Sequence, residues 1–326
     1  MYSNYEPREC ANRISEAYTI QHYHVFEKGV FESNPSLFER FNNHIADNIR
    51  SRYSYIKETL SKYVDSITWP IVKGIGFCGA THPGAEKIFS TIMRGSYVVH
   101  NSDCIYINPF DQVFAISDAP DMSTYSRALL TKIDEHLKRG YHDLEGIIAD
   151  SVKKITAHDH ATLSLLCFPK NKEGRKLVAL AFVAGDTYIF HGNIARRRLA
   201  HIDGEPQFIG KTLKHCQPQY FDLEESDFFI IASDGVLSAR SNSEKPIQDT
   251  LWDYLDPRDL HESVSNIVRG CNLISEEMVD SRVINRFRGG DDISVLVIYP
   301  EQLADIECRR TILMGGWIRS LEHWKE

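Results

Sequence analysis

The chain has 326 residues, 42% hydrophobic and 25% charged, which suffices for one large core or a core with an appendage. Its net charge of −8 argues against nucleic acid as the main partner, because phosphate recognition needs a basic footprint. No run reaches the length of a membrane-spanning helix and the first residues, MYSNYEPREC, lack the pattern of a signal peptide, so the expected location is the cytoplasm, with no membrane partner. Seven cysteines, at 10, 78, 104, 167, 216, 271 and 308, include no CxxC pair and read as buried reduced thiols.

In chain order, residues 1–68 read as an N-terminal helical extension. Phe38, Phe41, Ile45, Ile49, Ile56, Leu60 and Val64 recur at helical spacing after Asn34-Pro35, an N-cap and first-turn signal. Such a helix packs on the body, binds a partner or self-associates. CIYIN and VFAIS flank the turn-like Pro109-Phe110-Asp111-Gln112 and predict a β-hairpin. Two helices follow, Tyr125 to Leu137 with Leu129, Leu130, Ile133 and Leu137 on one face, and Leu144 to Ile155. Then come strands over Thr162 to Phe168 and Leu177 to Phe190, the latter broken at Gly185-Asp186. His158 and His160 flank Asp159 and read as a polar loop. Hairpins, helices and hairpins again indicate an α+β fold. Residues 301–326 read as a C-terminal helical tail broken at Gly315-Gly316, with Trp317 and Trp324 as packing anchors.

Four aspartates carry the functional signal. Asp118 and Asp234 end apolar strands, VFAIS and FFIIAS, while Asp103 and Asp291 precede CIYI and ISVLVIY. Aspartate is poor strand material and costly to bury unpaired, so a set at strand ends points to a shared positive partner. The hairpin returns Asp118 to the same edge as Asp103. If the strands at Asp234 and Asp291 also pair antiparallel, all four converge at one sheet edge. Hard oxygen donors of this kind suit Mg²⁺ or Mn²⁺. The plainer alternative is that each aspartate caps a strand or starts a turn.

From about Gly74 to Pro300 the chain resembles the metal-dependent protein phosphatases of type 2C, with their bacterial sporulation-phosphatase-like relatives. The resemblance is carried in order by Asn101-Ser102-Asp103, Ser117-Asp118-Ala119, Ala184-Gly185-Asp186-Thr187, the stretch Leu223 to Gly235, and Asp291-Asp292-Ile293-Ser294. It implies two packed antiparallel β-sheets flanked by helices, with the catalytic domain over 69–300. It further implies a serine/threonine protein phosphatase using two Mg²⁺ or Mn²⁺ ions and a bridging water that attacks phosphorus. Asp118 would bridge the two ions, Asp234 and Asp291 would complete the first, and the Ala119 carbonyl would bind the second. Asp186 would help to hold a third ion, and Asp103 would hydrogen-bond water on the metals. The partner implied is a phosphorylated protein substrate.

Three positions depart from the family pattern. Ser102 stands where an acidic residue is common, Val98 where many members have a phosphate-binding Arg, and Pro120 where some have a His; Arg94 is near but out of register. They keep open a pseudophosphatase that binds a partner without turnover, and a hydrolase of small phosphoesters.

Overall fold

The computed structural model describes residues 18–24, 68–84, 87, 98–120, 123–141, 143–154, 160–170, 178–210, 216–238, 247–256, 258–272, 274–279, 282–287, 291–305 and 311–320. Strands β1 (Tyr18–His24), β2 (Thr68–Gly74), β3 (Phe77–His82), β14 (Ile293–Ile298), β11 (Asp227–Ala232), β8 (Tyr188–Asn193) and β9 (Arg198–Ile202) form, in that spatial order, a seven-stranded sheet. A six-stranded sheet runs β10 (Gln219–Asp222), β7 (Val178–Ala184), β6 (Leu163–Cys167), β5 (Val113–Ser117), β4 (Val98–Asn108) and β15 (Ile312–Ser320). Strands β12 (Ile274–Val279) and β13 (Arg282–Phe287) make a separate hairpin. The sheets are antiparallel throughout.

Strand alternation sorts the apolar residues into three layers. Ile105, Ile107, Phe114 and Ile116 of one sheet meet Phe229, Ile231, Leu296 and Ile298 of the other in the central core. Their neighbours Cys104, Tyr106, Val113 and Ala115 face outward, under helices α1 (Tyr125–Lys138) and α2 (Leu144–Lys154). On the opposite flank Phe228, Ile230, Val295 and Val297 lie under α4 (Ile247–Tyr254) and α5 (Leu260–Asn272). Both faces of the central strands are therefore covered, which is why they read as unbroken apolar runs. The fold is α+β: two packed antiparallel sheets between helical layers.

Leu129, Leu130, Ile133 and Leu137 are the buried stripe of α1, as their spacing predicts. Two other expectations are corrected. The region up to residue 68 contributes a strand, β1, that pairs with β2; the amphipathic helix expected over Phe38 to Val64 lies outside the described residues. The C-terminal segment is not a helical tail: after a short 3₁₀ turn at Pro300–Gln302 it forms β15 along β4. The Gly315-Gly316 step is a bulge in that strand, with φ of 83° and 59°. Trp317 pairs with Asn101 within this ladder, and Trp324 lies outside the described residues.

Among the described residues five cysteines, Cys78, Cys104, Cys167, Cys216 and Cys271, are buried thiols in no disulfide. No described helix is long and apolar enough to cross a membrane. His160 is exposed, with its ring against Phe208.

Candidate active site

The hairpin of β4 and β5 has Cys104 opposite Ser117, so the register continues to place Asp103 opposite Asp118. Asp103 does not open its strand; β4 starts at Val98 and holds it mid-strand, fully buried. In the other sheet β11 pairs antiparallel with β14, Ala232 against Val295, and this brings Asp234, at the start of α3 (Asp234–Ser238), back to Asp291 and Asp292. Ser233 N–H donates to the Ser294 carbonyl at 3.0 Å and closes this junction. Ala232 also faces Tyr188 on β8, so the same register leads Asp186, in the β7–β8 turn, toward Asp234. One expectation changes here. The carboxylates do not share one sheet edge: two come from each sheet, meeting across the sandwich.

Buried polar contacts join the sheets at this end. Asn101 of β4 donates from Nδ2 to Thr81 Oγ1 of β3 at 2.9 Å, and Thr81 is bonded to Ser294 Oγ of β14 at 2.7 Å. Beside them the Ser102 amide donates to Asp292 Oδ2 at 2.7 Å. Thr162 grips Asp118 from its own sheet, its Oγ1 accepting from the Asp118 amide at 2.9 Å and its N–H donating to the Asp118 carbonyl at 2.7 Å. The Ser126 hydroxyl, on α1, donates to the Ser102 carbonyl and ties the helix to the strand next to Asp103.

Gly235 and Gly315 show how tightly the backbone closes in. A Cβ on Gly235 would stand 1.9 Å from the Asp292 carbonyl oxygen. One on Gly315, whose φ is already positive, would stand 2.0 Å from the Asp103 carbonyl oxygen. The first Asp-Gly-like step takes Ala119, buried at 6% exposure.

The electrostatics are those of like charges held together. Burial, then the charges of Asp118 and Asp292, pushes Asp103 well above the usual carboxylate range. Ser233 and Ser294 temper the shift, yet neither Asp103 oxygen gains a hydrogen bond of normal geometry. Burial, followed by the charge of Asp234, pushes Asp118 up to about 8. Burial, with the charges of Asp291 and Asp186, pushes Asp234 up to about 7. Asp234 Oδ1 and Asp292 Oδ1 are also buried without a partner. Carboxylates raised by burial and one another are relieved by a cation.

Among the described residues, no group of three or more His, Cys, Asp or Glu side chains is placed to hold a metal ion as it stands. The donor set still fits a hard divalent cation in chemistry: carboxylate oxygens, several without partners, under mutual repulsion.

Comparison with solved structures finds distant likenesses. In fold, the chain is similar to PPM-type serine/threonine phosphatases. A PPM Ser-Thr phosphatase from Mycobacterium smegmatis, solved with cacodylate, is 14% identical over 68% of this chain and 97% of its own, with a TM-score of 0.48. The catalytic domain of the phosphatase PstP, solved with two manganese ions, is 12% identical over 68% of this chain and 96% of its own, at a TM-score of 0.47. The SiaA-PP2C domain of Pseudomonas aeruginosa is 14% identical over 61% of this chain and 79% of its own, at 0.44. No family model and no curated protein matches the chain. At this level of likeness the reading of the site rests on its own residues.

Sequence reasoning missed Lys87, Asp292 and Thr162. Lys87 Nζ lies 2.9 Å from Asp292 Oδ2 and 3.9 Å from Asp291 Oδ1, with its side chain 10% exposed. Asp292 was passed over for its neighbour, although its place directly before the apolar run ISVLVI marked it for burial. Nothing in the sequence pointed to Lys87. Arg94, weighed as a phosphate ligand, lies outside the described residues.

Proposed function

We propose that this chain is a divalent-cation-dependent phosphatase of the type 2C family that hydrolyses phosphoserine or phosphothreonine in proteins. The observation that carries this reading is the meeting of Asp103 and Asp118 with Asp234 and Asp291 from two antiparallel strand pairs in different sheets. The five ordered motifs support it independently, because they name the same residues.

Asp118, Asp234 and Asp291 would hold the two core ions, with the Ala119 carbonyl completing the second and Asp186 serving a third. Mg²⁺ or Mn²⁺ bound there supplies a lowered water pKa and neutralises charge on the phosphoryl oxygens. The chain's own part is placement. Asp103 is buried mid-strand and anchored by its neighbours, so its carboxylate would accept a hydrogen bond from the attacking water and orient it in line with the leaving oxygen. Thr162 holds the Asp118 backbone at both its amide and its carbonyl, which would steady the carboxylate that holds the ions. Pro120 has no proton to give, so the leaving serine or threonine alkoxide would take its proton from solvent. No protein nucleophile is needed.

A binding module without turnover is the second reading, kept open by Ser102 and Val98, which stand where the family pattern has an acidic residue and a phosphate-binding Arg. Calorimetric titration of Mn²⁺ into the protein, beside an Asp234→Asn control, tests both, with hydrolysis of phosphopeptides and small phosphoesters assayed on the same sample. Mn²⁺ binding with phosphopeptide turnover is the expected result. Binding without turnover selects the module, preference for small esters selects the small-molecule hydrolase, and no binding overturns the metal site.

A further inference from the structure

The six carboxylates at this site have one described lysine in contact with them, and it is spoken for. Asp292 Oδ2 accepts from Lys87 Nζ at 2.9 Å and from the Ser102 amide at 2.7 Å. Asp292 is nearly inaccessible, at 2% side-chain exposure, whereas Asp291 beside it is 50% exposed. The ammonium stands 3.9 Å from Asp291 Oδ1, a whole ångström farther than from Asp292. One buried carboxylate thus holds the lysine back while its neighbour faces solvent. The same oxygen fastens β4, one residue before Asp103, to the start of β14 in the other sheet.

We propose that Lys87 and Asp292 form a positioning pair. Asp292 holds the ammonium at 2.9 Å and so limits its hold on Asp291 to a long 3.9 Å pair, leaving the half-exposed Asp291 open to a divalent cation. Through the Ser102 amide it holds Asp103 level with the opposite sheet. The inference rests on the metal-site reading above. Lys87 is not a phosphate ligand here, because an ammonium 10% exposed and bonded to a buried carboxylate has little left to offer a substrate.

The pair makes an asymmetric prediction. Asp292→Asn keeps shape and an oxygen for the Ser102 amide but frees the ammonium, whose next carboxylate is Asp291. A monovalent cation seated on Asp291 competes with a divalent one, so Mn²⁺ binding should weaken by at least about tenfold. Removing the competitor as well, in Lys87→Met with Asp292→Asn, should restore affinity toward the parent value. Lys87→Met alone should bind Mn²⁺ as tightly as the parent or more tightly, although it leaves the buried Asp292 without its cation and held by the Ser102 amide.

The experiment is calorimetric Mn²⁺ titration of the parent and the three variants, each first shown folded by circular dichroism. Weakening in Asp292→Asn with recovery in the double variant supports the pair. Unchanged binding in Asp292→Asn, or a double variant no better than the single, overturns it while the metal site stands. A parent that binds no Mn²⁺ overturns the metal site and this inference together. Should Asp292→Asn fail to fold, Lys87→Met decides: equal or tighter binding supports the pair and weaker binding overturns it.

Discussion

Asp103 and Asp118, at the end of the six-stranded sheet, and Asp234, Asp291 and Asp292, at the end of the seven-stranded one, are delivered by the same device, an antiparallel pair of strands. Their surroundings differ. The first pair feels burial and like charge, softened at Asp103 by the Ser233 and Ser294 hydroxyls and at Asp118 by Asp103. The second group has Lys87, which with the Ser102 amide draws Asp292 back toward the ordinary range. The built-in cation therefore serves one carboxylate, Asp292, and leaves Asp234 as crowded as the first pair. The lesson is that two similar antiparallel pairs need not do similar electrostatic work. Where a lysine is built in, the carboxylate serves the fold; where none is, it is left available to a ligand.

The largest effect expected from breaking this contrast is at Asp118. Asp118→Asn should cut Mn²⁺-dependent turnover by about 10²–10³-fold, the scale of losing one principal electrostatic contact. Steady-state kinetics on phosphopeptide check it, and turnover like the parent's would sink the role given to Asp118.

The same substitution should raise the melting temperature without added metal, and the pH dependence follows from the sign of the shifts. Asp118 and Asp234 are pushed up to about 8 and 7, above an unfolded value near 3.9, so the fold prefers them protonated. Their contribution is fully present below about pH 4 and is lost as the pH rises through 7 and 8. The stabilisation by Asp118→Asn should therefore be close to zero at pH 4 and grow toward pH 8. A difference in melting temperature that is flat with pH would contradict the crowding of charge around Asp118.

Smaller, and confined to the Asp103 side, is Gly315→Ala. It forces a Cβ onto the Asp103 carbonyl at a residue with φ of 83° and should cost about 1–3 kcal/mol in denaturant unfolding. A neutral result would show that β15 can shift away without disturbing β4. Smallest is Asp186→Asn, expected to spare the two core ions and lower turnover by about tenfold. Loss of both core ions in calorimetry would show that Asp186 belongs with Asp234 and not outside it.

Much of this was legible in the chain. CIYIN, VFAIS, FFIIAS and ISVLVI are apolar runs whose ends carry Asp, and a hairpin turn between the first two is enough to bring Asp103 and Asp118 together. The α1 stripe was legible for the same reason: periodicity is local, and each residue states its own preference for inside or outside. The C-terminal strand was misread because Gly315-Gly316 is a stop signal in a helix and a bulge in a strand. The alternation of buried Ile312 and Met314 with half-buried Leu313 was the clue that favoured the strand.

By itself the sequence determined the central apolar strands and the α1 stripe, and which of those strand ends carry carboxylates. Only the tertiary structure decided that the two strand pairs lie in different sheets, so that the site is assembled across the central core. It also decided that β15 backs onto Asp103 and that Lys87 meets Asp292, 205 residues further along the chain. The physical reason is that sheet membership and ion pairing at such separations depend on how layers stack. Stacking is settled by summed burial over many residues, and no single stretch of sequence contains that sum.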